Sequence, residues 1–439
     1  MIPVPVSNKK KVGMPFVGFG KAIPEEVKDN LGLAPSERLR LLCLRGMPGM
    51  DPVVERRLNQ ELQVIRQLDL SGFFLVLWDI YRFAINAGHV IILNGPASSS
   101  LVVHLLGLSP VNPIQHRLFF ERFLDPNQTF APMRQFIICE GGQEEVVRYA
   151  RAKFGWDNID KKDLPWHAYS QEWQLPSGGT TDRVAIDIVV HSGLTILNRT
   201  VTLIQERHGL DEVPCNLPNN DEKTMDLFRR GDTDDIYQFR SRCEKELLRN
   251  LEPKDIDGLA VVLSLKSKAR FENRLASDYL GQRNGKTELA NLDLRLKEIL
   301  GETYGILLYQ EQIMEIVHRI GGIAKRDGFK LVQAMSKKSL KLIDNFRKKF
   351  VTGAKENQIE ASIAEKIYDS VVHQGQFTQC KANAINAAII GYQMAFLKAH
   401  HAEAFTAADA EGTYNTFNAA MLAYLKEHHP KAVVDIDAE

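Results

Sequence analysis

Residues 93–139, LNGPASSSLVVHLLGLSPVNPIQHRLFFERFLDPNQTFAPMRQFIIC, decide how the rest of the chain is read. A turn of small residues at Asn94–Ser100 opens the apolar run LVVHLLGL. The run FFERFLDP follows at 119–126, and then a strand-like apolar run at Phe136–Ile138. The β-branched VIIL at 90–93 reads as a strand leading into the turn. Free backbone N–H groups at such a strand-to-helix turn can hold an anion. The plainer reading of the same serines is an N-cap on a core helix, and Pro96 removes one N–H from the turn.

Upstream, Leu39, Leu42, Leu58, Leu62 and Ile65 recur at helical spacing among Arg and Glu, which predicts two amphipathic helices over 35–68. SGFFLVLWDIYRFAINAG, 71–88, is apolar enough for a buried helix ended by Gly88. Residues 1–34, with their Pro, Gly and Lys9–Lys11, read as an irregular leader with one short helix near Pro24–Asn30. Downstream, QEEVVRYARAKFG at 143–155 is a third amphipathic pattern. VAIDIVV at 184–190 is a strand, and Gly178–Gly179 mark a turn in the short interval before it. From Leu194 the pattern is predominantly helical, and 411–439 reads as one more helix and a tail. AMSKKSLKLIDNFRKKF, 334–350, predicts an amphipathic helix whose cationic face holds Lys337, Lys338, Lys341, Arg347, Lys348 and Lys349.

Composition narrows the class without choosing a function. At 439 residues with 44% hydrophobic and 25% charged, the chain suits a globular protein of about two to three domains. It has no apolar run of the roughly 20 residues a membrane span needs, and no secretory signal pattern, so a cytoplasmic protein without a membrane partner is expected. Five scattered cysteines without CxxC spacing argue against zinc or a disulfide framework. The adjacent pairs His400–His401 and His428–His429 point to different helix faces, which disfavours metal ligation. Lys+Arg and Asp+Glu both number 55, so any DNA contact must come from a local basic patch.

The order turn, FFERFLDP and strand resembles the palm of the bacterial DNA polymerase III alpha subunit, the C-family of DNA polymerases. ETYGILLYQEQIMEI at 302–316 is similar to that family's fingers signature, and GYQMAFLKAHHAEAF at 391–405 continues the likeness. The resemblance, over about 35–410, implies an α+β but predominantly helical fold: a palm with a nucleotidyltransferase-like mixed sheet at 35–193 and helical fingers at 194–410. The family's thumb would fall between 155 and 184, where only about thirty residues stand, so the thumb is expected to be absent. The chain reads as a truncated relative, expected to lack the N-terminal phosphoesterase domain and the C-terminal helix-hairpin-helix, clamp-binding and single-strand-binding parts.

In that family the strand after the FERFL-like run carries two catalytic aspartates, and here those positions read Met133 and Gln135. Asp187 matches the third. Two-metal nucleotidyl transfer needs carboxylates to hold both cations, and a thioether and an amide do not replace them. The phosphate-binding positions are altered too. The turn's arginine falls on Asn94, with Gly95, Pro96 and Ser98 following. The family's Arg-Pro-Gly-Pro falls on Lys266–Ala269, expected to be a flexible basic turn. Its fingers lysine falls on Lys381 and its histidine on Asn383, whereas counting forward from Phe377 puts Gln379 there instead. The expectation is a catalytically inactive alpha-like protein without cofactor, binding DNA or another replication or repair protein, with Lys337, Lys338, Lys341, Arg347, Lys348 and Lys349 as DNA-contact candidates. Two alternatives stand beside it. One is a divergent active polymerase, needing Mg²⁺ and replacement carboxylates from Glu140, Glu144 or Glu145. The other is a nucleotide-binding sensor or purely structural scaffold.

Overall fold

The computed structural model describes residues 14–15, 32–47, 49, 51–126, 134–154, 160–162, 168–174, 183–208, 216–269, 275–285 and 294–409. The expected helix near Pro24–Asn30, the turn at Gly178–Gly179, Met133 and the C-terminal segment 411–439 lie outside them. Three helices open the body: α1 (Pro35–Arg45), α2 (Pro52–Gln67) and α3 (Ser71–Asn86). Asp51 starts α2 by accepting the Val53 N–H ahead of Pro52, whose missing donor costs nothing at that position. Helix α3 buries ten of its side chains, including Phe73, Phe74, Leu77 and Ile80, as its dense apolar pattern requires.

Two sheets are present among the described residues. A two-residue ladder pairs β1 (Met14–Pro15) with β7 (Asn216–Leu217). The main sheet has the order β2-β3-β6-β5-β4, built from β2 (Ile91–Asn94), β3 (Arg134–Ile138), β4 (Asp160–Lys162), β5 (Ala168–Gln174) and β6 (Arg183–Val190). Strands β3 and β6 run parallel, with α5 (Gly142–Phe154) in the connection between them, and every other pairing is antiparallel. The interval where only a turn was expected therefore contributes two strands. Its run AYSQEWQ places three polar residues, Ser170 to Glu172, between Tyr169 and Trp173, so no apolar alternation marks it as a strand.

Beyond the sheet follow α6 (Ser192–His208), α7 (Glu222–Arg230), α8 (Arg242–Leu251), α9 (Ile256–Ala269), α10 (Leu275–Arg283), α11 (Leu294–Leu300), α12 (Gln310–Arg319), α13 (Lys325–Ser336), α14 (Leu340–Glu356), α15 (Ala361–Gly375), α16 (Lys381–His400) and α17 (Ala402–Asp409). Asp221 caps α7 through the Thr224 N–H and hydroxyl, and Ser241 with Glu244 forms a capping box on α8. One apolar core runs from Leu39 to Phe405 and takes in β2, β3 and β6, α3, α7 to α9 and α16. A second holds residues 296–371, formed by α11 to α15. The larger core crosses residue 193, because α16 returns to pack on α9, α6 and the turn after β2.

The run IYQFRS after α7 forms turns, with the Thr233 hydroxyl donating to the Phe239 carbonyl and Gln238 at φ 65°. One local expectation changes. Lys266–Ala269 forms the last turn of α9 rather than a loop: the prolines and glycine that would have stopped a helix are absent. Tyr304 is 38% exposed because its backbone turns into the left-handed region (φ 51°) at the end of a 3-10 turn.

Candidate palm and fingers site

The sheet register lines up the positions that matter. Asn94 of β2 pairs with Gln135 of β3, Gln135 pairs with Asp187 of β6, and Asp187 pairs with Ser170 of β5. Paired residues on neighbouring strands point to the same face, so Asn94, Gln135 and Asp187 form one row across the sheet. Asp187 is buried, at 9% exposure, and Gln135 is half-buried. Two hard divalent cations do not fit this donor set, which offers two neutral amides and a single carboxylate. Glu140 and Glu145 do not repair it. Both lie beyond the far end of β3, Glu140 in the turn after Ile138 and Glu145 in the first turn of α5, where Glu140 pairs with Arg199 at 3.1 Å and Glu145 with His89 at 2.7 Å.

The turn after β2 is a 3-10 helix over Gly95–Ser99. Gly95 adopts φ 86°, a conformation that suits glycine and lets β2 break sharply into the turn. The helix it feeds, α4 (Leu101–Leu105), is the element the sequence offered for an anion. Its N–H groups are already satisfied from within the chain. The Glu61 carboxylate accepts from the Leu101 and Val102 N–H groups at 3.0 and 3.2 Å and from the Ser100 hydroxyl at 2.7 Å, and Ser100 Oγ accepts from Val103 N–H. Arg57 pairs with Glu61 at 2.6 Å and donates to the Ser99 and Leu118 carbonyls. Glu61 is fully buried, which pushes its carboxyl above the usual range, against the pull of Arg57 and the N–H donors. Ser98, also fully buried, donates to the Leu93 carbonyl.

A cleft of about 310 Å³ opens between the sheet and the helices. Asn94, Ile137, Gln238, Lys266, Asn383 and Asn386 are among the groups around it. Asn386 Nδ2 donates to Asn94 Oδ1 at 2.8 Å, while Asn386 Oδ1 is buried without a donor among the described residues. Lys266 is ion-paired with buried Glu244, and Lys381 is held by both oxygens of Glu302 at 2.9 and 2.8 Å, at 5% exposure, with its Nζ over the Tyr309 ring. Of the expected phosphate contacts, then, Asn94 and Lys266 reach one cleft, Ser98 lies in the core and Lys381 is committed to a carboxylate. His191, at the end of β6, borders the same region against Tyr237, ring centroids 4.4 Å apart, and burial holds its pKa down at about 4.

The polar groups of 302–316 are committed to internal bonds. Gln312 Oε1 accepts from the Leu308 and Tyr309 N–H groups, and its Nε2 donates to Thr303. Buried Glu311 accepts from the Lys381 N–H at 2.9 Å at the start of α16. Gln310 accepts from Arg122 at 3.2 and 3.0 Å, so FFERFLDP and YQEQI meet directly, with the Arg122 guanidinium over Phe329.

The expected cationic helix is two helices. Lys337–Ser339 separates α13 from α14, with Lys338 at φ 52°. Arg347 pairs with Glu365 and Asp369 at 2.7 and 2.6 Å, and Lys348 with Asp344 at 3.3 Å. Lys337, Lys338, Lys341 and Lys349 are exposed.

Sequence reasoning missed Glu61, Arg122, His191 and Asn386. For Glu61 a signal exists: it stands three residues after Leu58 and four before Ile65, a carboxylate inside the apolar stripe of α2. The other three gain their roles only through partners distant in sequence.

Comparison with known families gives the class. The family described as the bacterial DNA polymerase III alpha NTPase domain matches residues 36–161, and that of the bacterial DNA polymerase III alpha subunit finger domain matches residues 193–358. The chain belongs to the DNA polymerase III alpha family, as an alpha-like protein with palm and fingers parts. It is 26% identical to the DNA polymerase III subunit alpha of Halalkalibacterium halodurans over 86% of this chain and 43% of that protein. It is 23% identical to the Bacillus subtilis subunit over 84% and 42%, and 24% identical to that of Aquifex aeolicus over 80% and 41%. The chain thus spans about two fifths of the length of the curated relatives it matches. No helix among the described residues is long and apolar enough to cross a membrane.

Proposed function

We propose that this chain is a catalytically inactive, cytoplasmic alpha-like protein that serves as a DNA- or replication/repair-protein-binding accessory component and works without a metal cofactor. The observation that carries the reading is Gln135, an amide seated between Asn94 and Asp187 in the sheet row. A lone carboxylate supplies neither the charge nor the bridging oxygens that two cations need to activate a primer hydroxyl and stabilise a leaving phosphate. The commitment of Lys266 to Glu244 and of Lys381 to Glu302 supports the same reading, since both leave less charge for a triphosphate.

The test pairs two assays on purified protein: primer–template binding by fluorescence anisotropy at two salt concentrations, and primer extension with Mg²⁺ or Mn²⁺ beside an Asp187→Ala control. Binding without extension is expected. Extension that the control abolishes overturns the inactive reading.

A second reading, retention of a small ligand without turnover, has one observation in its favour: the orphaned Asn386 Oδ1 beside the 310 Å³ cleft, a buried acceptor that a ligand N–H would satisfy. Nucleotide binding without hydrolysis or incorporation, weakened by Asn386→Ala, would favour it.

A further inference from the structure

Helix α1 presents two faces of different kinds. Leu39, Leu42 and Cys43 turn into the core and are buried. Leu41 and Leu44 stand in water, at 45% and 41% exposure. At 3.6 residues per turn, Leu44 lies about 60° around the helix from Leu41, and Glu37 and Arg45 lie about 40° to either side of Leu41. The four side chains therefore share one outward face, with Glu37 one turn before Leu41 and Arg45 one turn after it. Arg45 is exposed and has no hydrogen bond or ion pair among the described residues. Glu37 accepts the Ala34 N–H with one oxygen at 3.1 Å, and its other oxygen has no partner among the described residues.

This face is complementary to itself. A two-fold axis passing through Leu41, perpendicular to the helix, lays a second α1 antiparallel on the first. Leu41 then meets Leu41, each Glu37 meets Arg45 of the second copy, and Leu44 lies against the stem of Arg38. The antiparallel arrangement also sets the positive end of one helix beside the negative end of the other. An unrelated protein would have to reproduce this order of carboxylate, leucine and guanidinium in reverse, whereas a second copy does so by symmetry. A nucleic-acid backbone would engage Arg45, be repelled by Glu37 and leave both leucines in water.

We propose that the outward face of α1 pairs two copies of this chain in a two-fold, antiparallel homodimer. Helix α1 has 11 residues, which is about 16 Å of length. A contact of that size belongs with small, transient interfaces rather than with permanent dimers. The inference goes beyond the functional reading above and stands equally for an active or an inactive chain.

The experiment is sedimentation velocity of the full chain from about 1 μM to about 500 μM, a range that brackets weak association. The dimer fraction is expected to rise across it. Leu41→Asp should weaken association about tenfold or more, because it sets two carboxylates against each other on the axis. Glu37→Arg and Arg45→Glu each place two like-charge contacts in the interface and should each weaken it about tenfold. Mixed in equal amounts, with one of them fluorescently labelled, these two variants should associate as well as the wild type, since every contact then joins opposite charges. Such recovery also shows that both variants are folded. A wild type that stays monomeric overturns the proposal. Lowered thermal stability of Leu41→Asp would in that case put another segment of this chain on the face, and unchanged stability would leave the face to a different protein. A dimer indifferent to all three substitutions, or charge variants that fail to associate on mixing, overturns it as well.

Discussion

Residues 302–316 and the row Asn94–Gln135–Asp187 face opposite demands. In the first, polar side chains complete one another: Gln312 holds two backbone N–H groups, Glu311 holds the start of α16, and Gln310 receives Arg122 from the FFERFLDP turn. Replacing Gln312 or Glu311 leaves a buried donor without an acceptor. In the second, the side chains lie along a sheet whose backbone bonds are satisfied whatever residue stands there. An amide can occupy the place of a carboxylate without disturbing the strand pairing. A family likeness that is strong in the first region and weak in the second is what those two physical situations permit, because scaffold and site answer to different requirements.

The contrast can be broken or sharpened by four substitutions, in falling order of effect. Gln312→Leu removes the acceptor for the Leu308 and Tyr309 N–H groups in a site only 4% exposed. It should cost about 3 kcal/mol in urea unfolding, at the upper end for stranded buried donors. A loss below about 1 kcal/mol would show that the segment is not held by its polar network.

His191 comes second. Its native pKa of about 4 lies below the ordinary value of 6.5, so the unfolded chain binds the extra proton between those limits. Stability from this group is full above pH 6.5 and drains away as the pH falls toward 4. Between pH 7 and 5 the wild type should lose about 2 kcal/mol that His191→Asn retains, the asparagine still able to accept the Leu194 N–H. Parallel stability curves for the two proteins would contradict the assignment.

Gln135→Asp places a carboxylate directly opposite Asp187. Like charges in that register should cost about 1 kcal/mol, recovered on adding millimolar Mg²⁺ or Mn²⁺, whereas the melting temperature of the wild type should not respond to either ion. A wild-type response equal to the variant's would count against the amide row as the decisive change. The smallest effect is expected from Arg347→Ala: about 0.5 kcal/mol of stability, the scale of a partly exposed ion pair, and no change in DNA binding. A clear loss of DNA binding would return Arg347 to the contact surface.

Much of this architecture was legible in the chain. The periodicities of α1 to α3 and α5, the strands β2, β3 and β6, and the row position of Gln135 beside Asp187 all follow from local pattern joined to the family likeness. What was not legible depends on partners far apart in sequence. Strands β4 and β5 are too polar to announce themselves, and the split at Lys337–Ser339 lies in a run that a helix would also accept. Glu61 reaching Leu101, and Glu302 taking Lys381, turned candidate anion contacts into internal pairs. Charge counted along a sequence does not say which charges are already spent on one another.

The most direct measurement of the central claim is Mn²⁺ binding followed by electron paramagnetic resonance, on the wild type, Gln135→Asp and Asp187→Ala, each with primer–template present. The account predicts that the wild type and Asp187→Ala leave the free-ion signal unchanged and that Gln135→Asp reduces it. Stoichiometric Mn²⁺ uptake by the wild type that Asp187→Ala abolishes would contradict it, and would mean that carboxylates outside the row complete a working metal site.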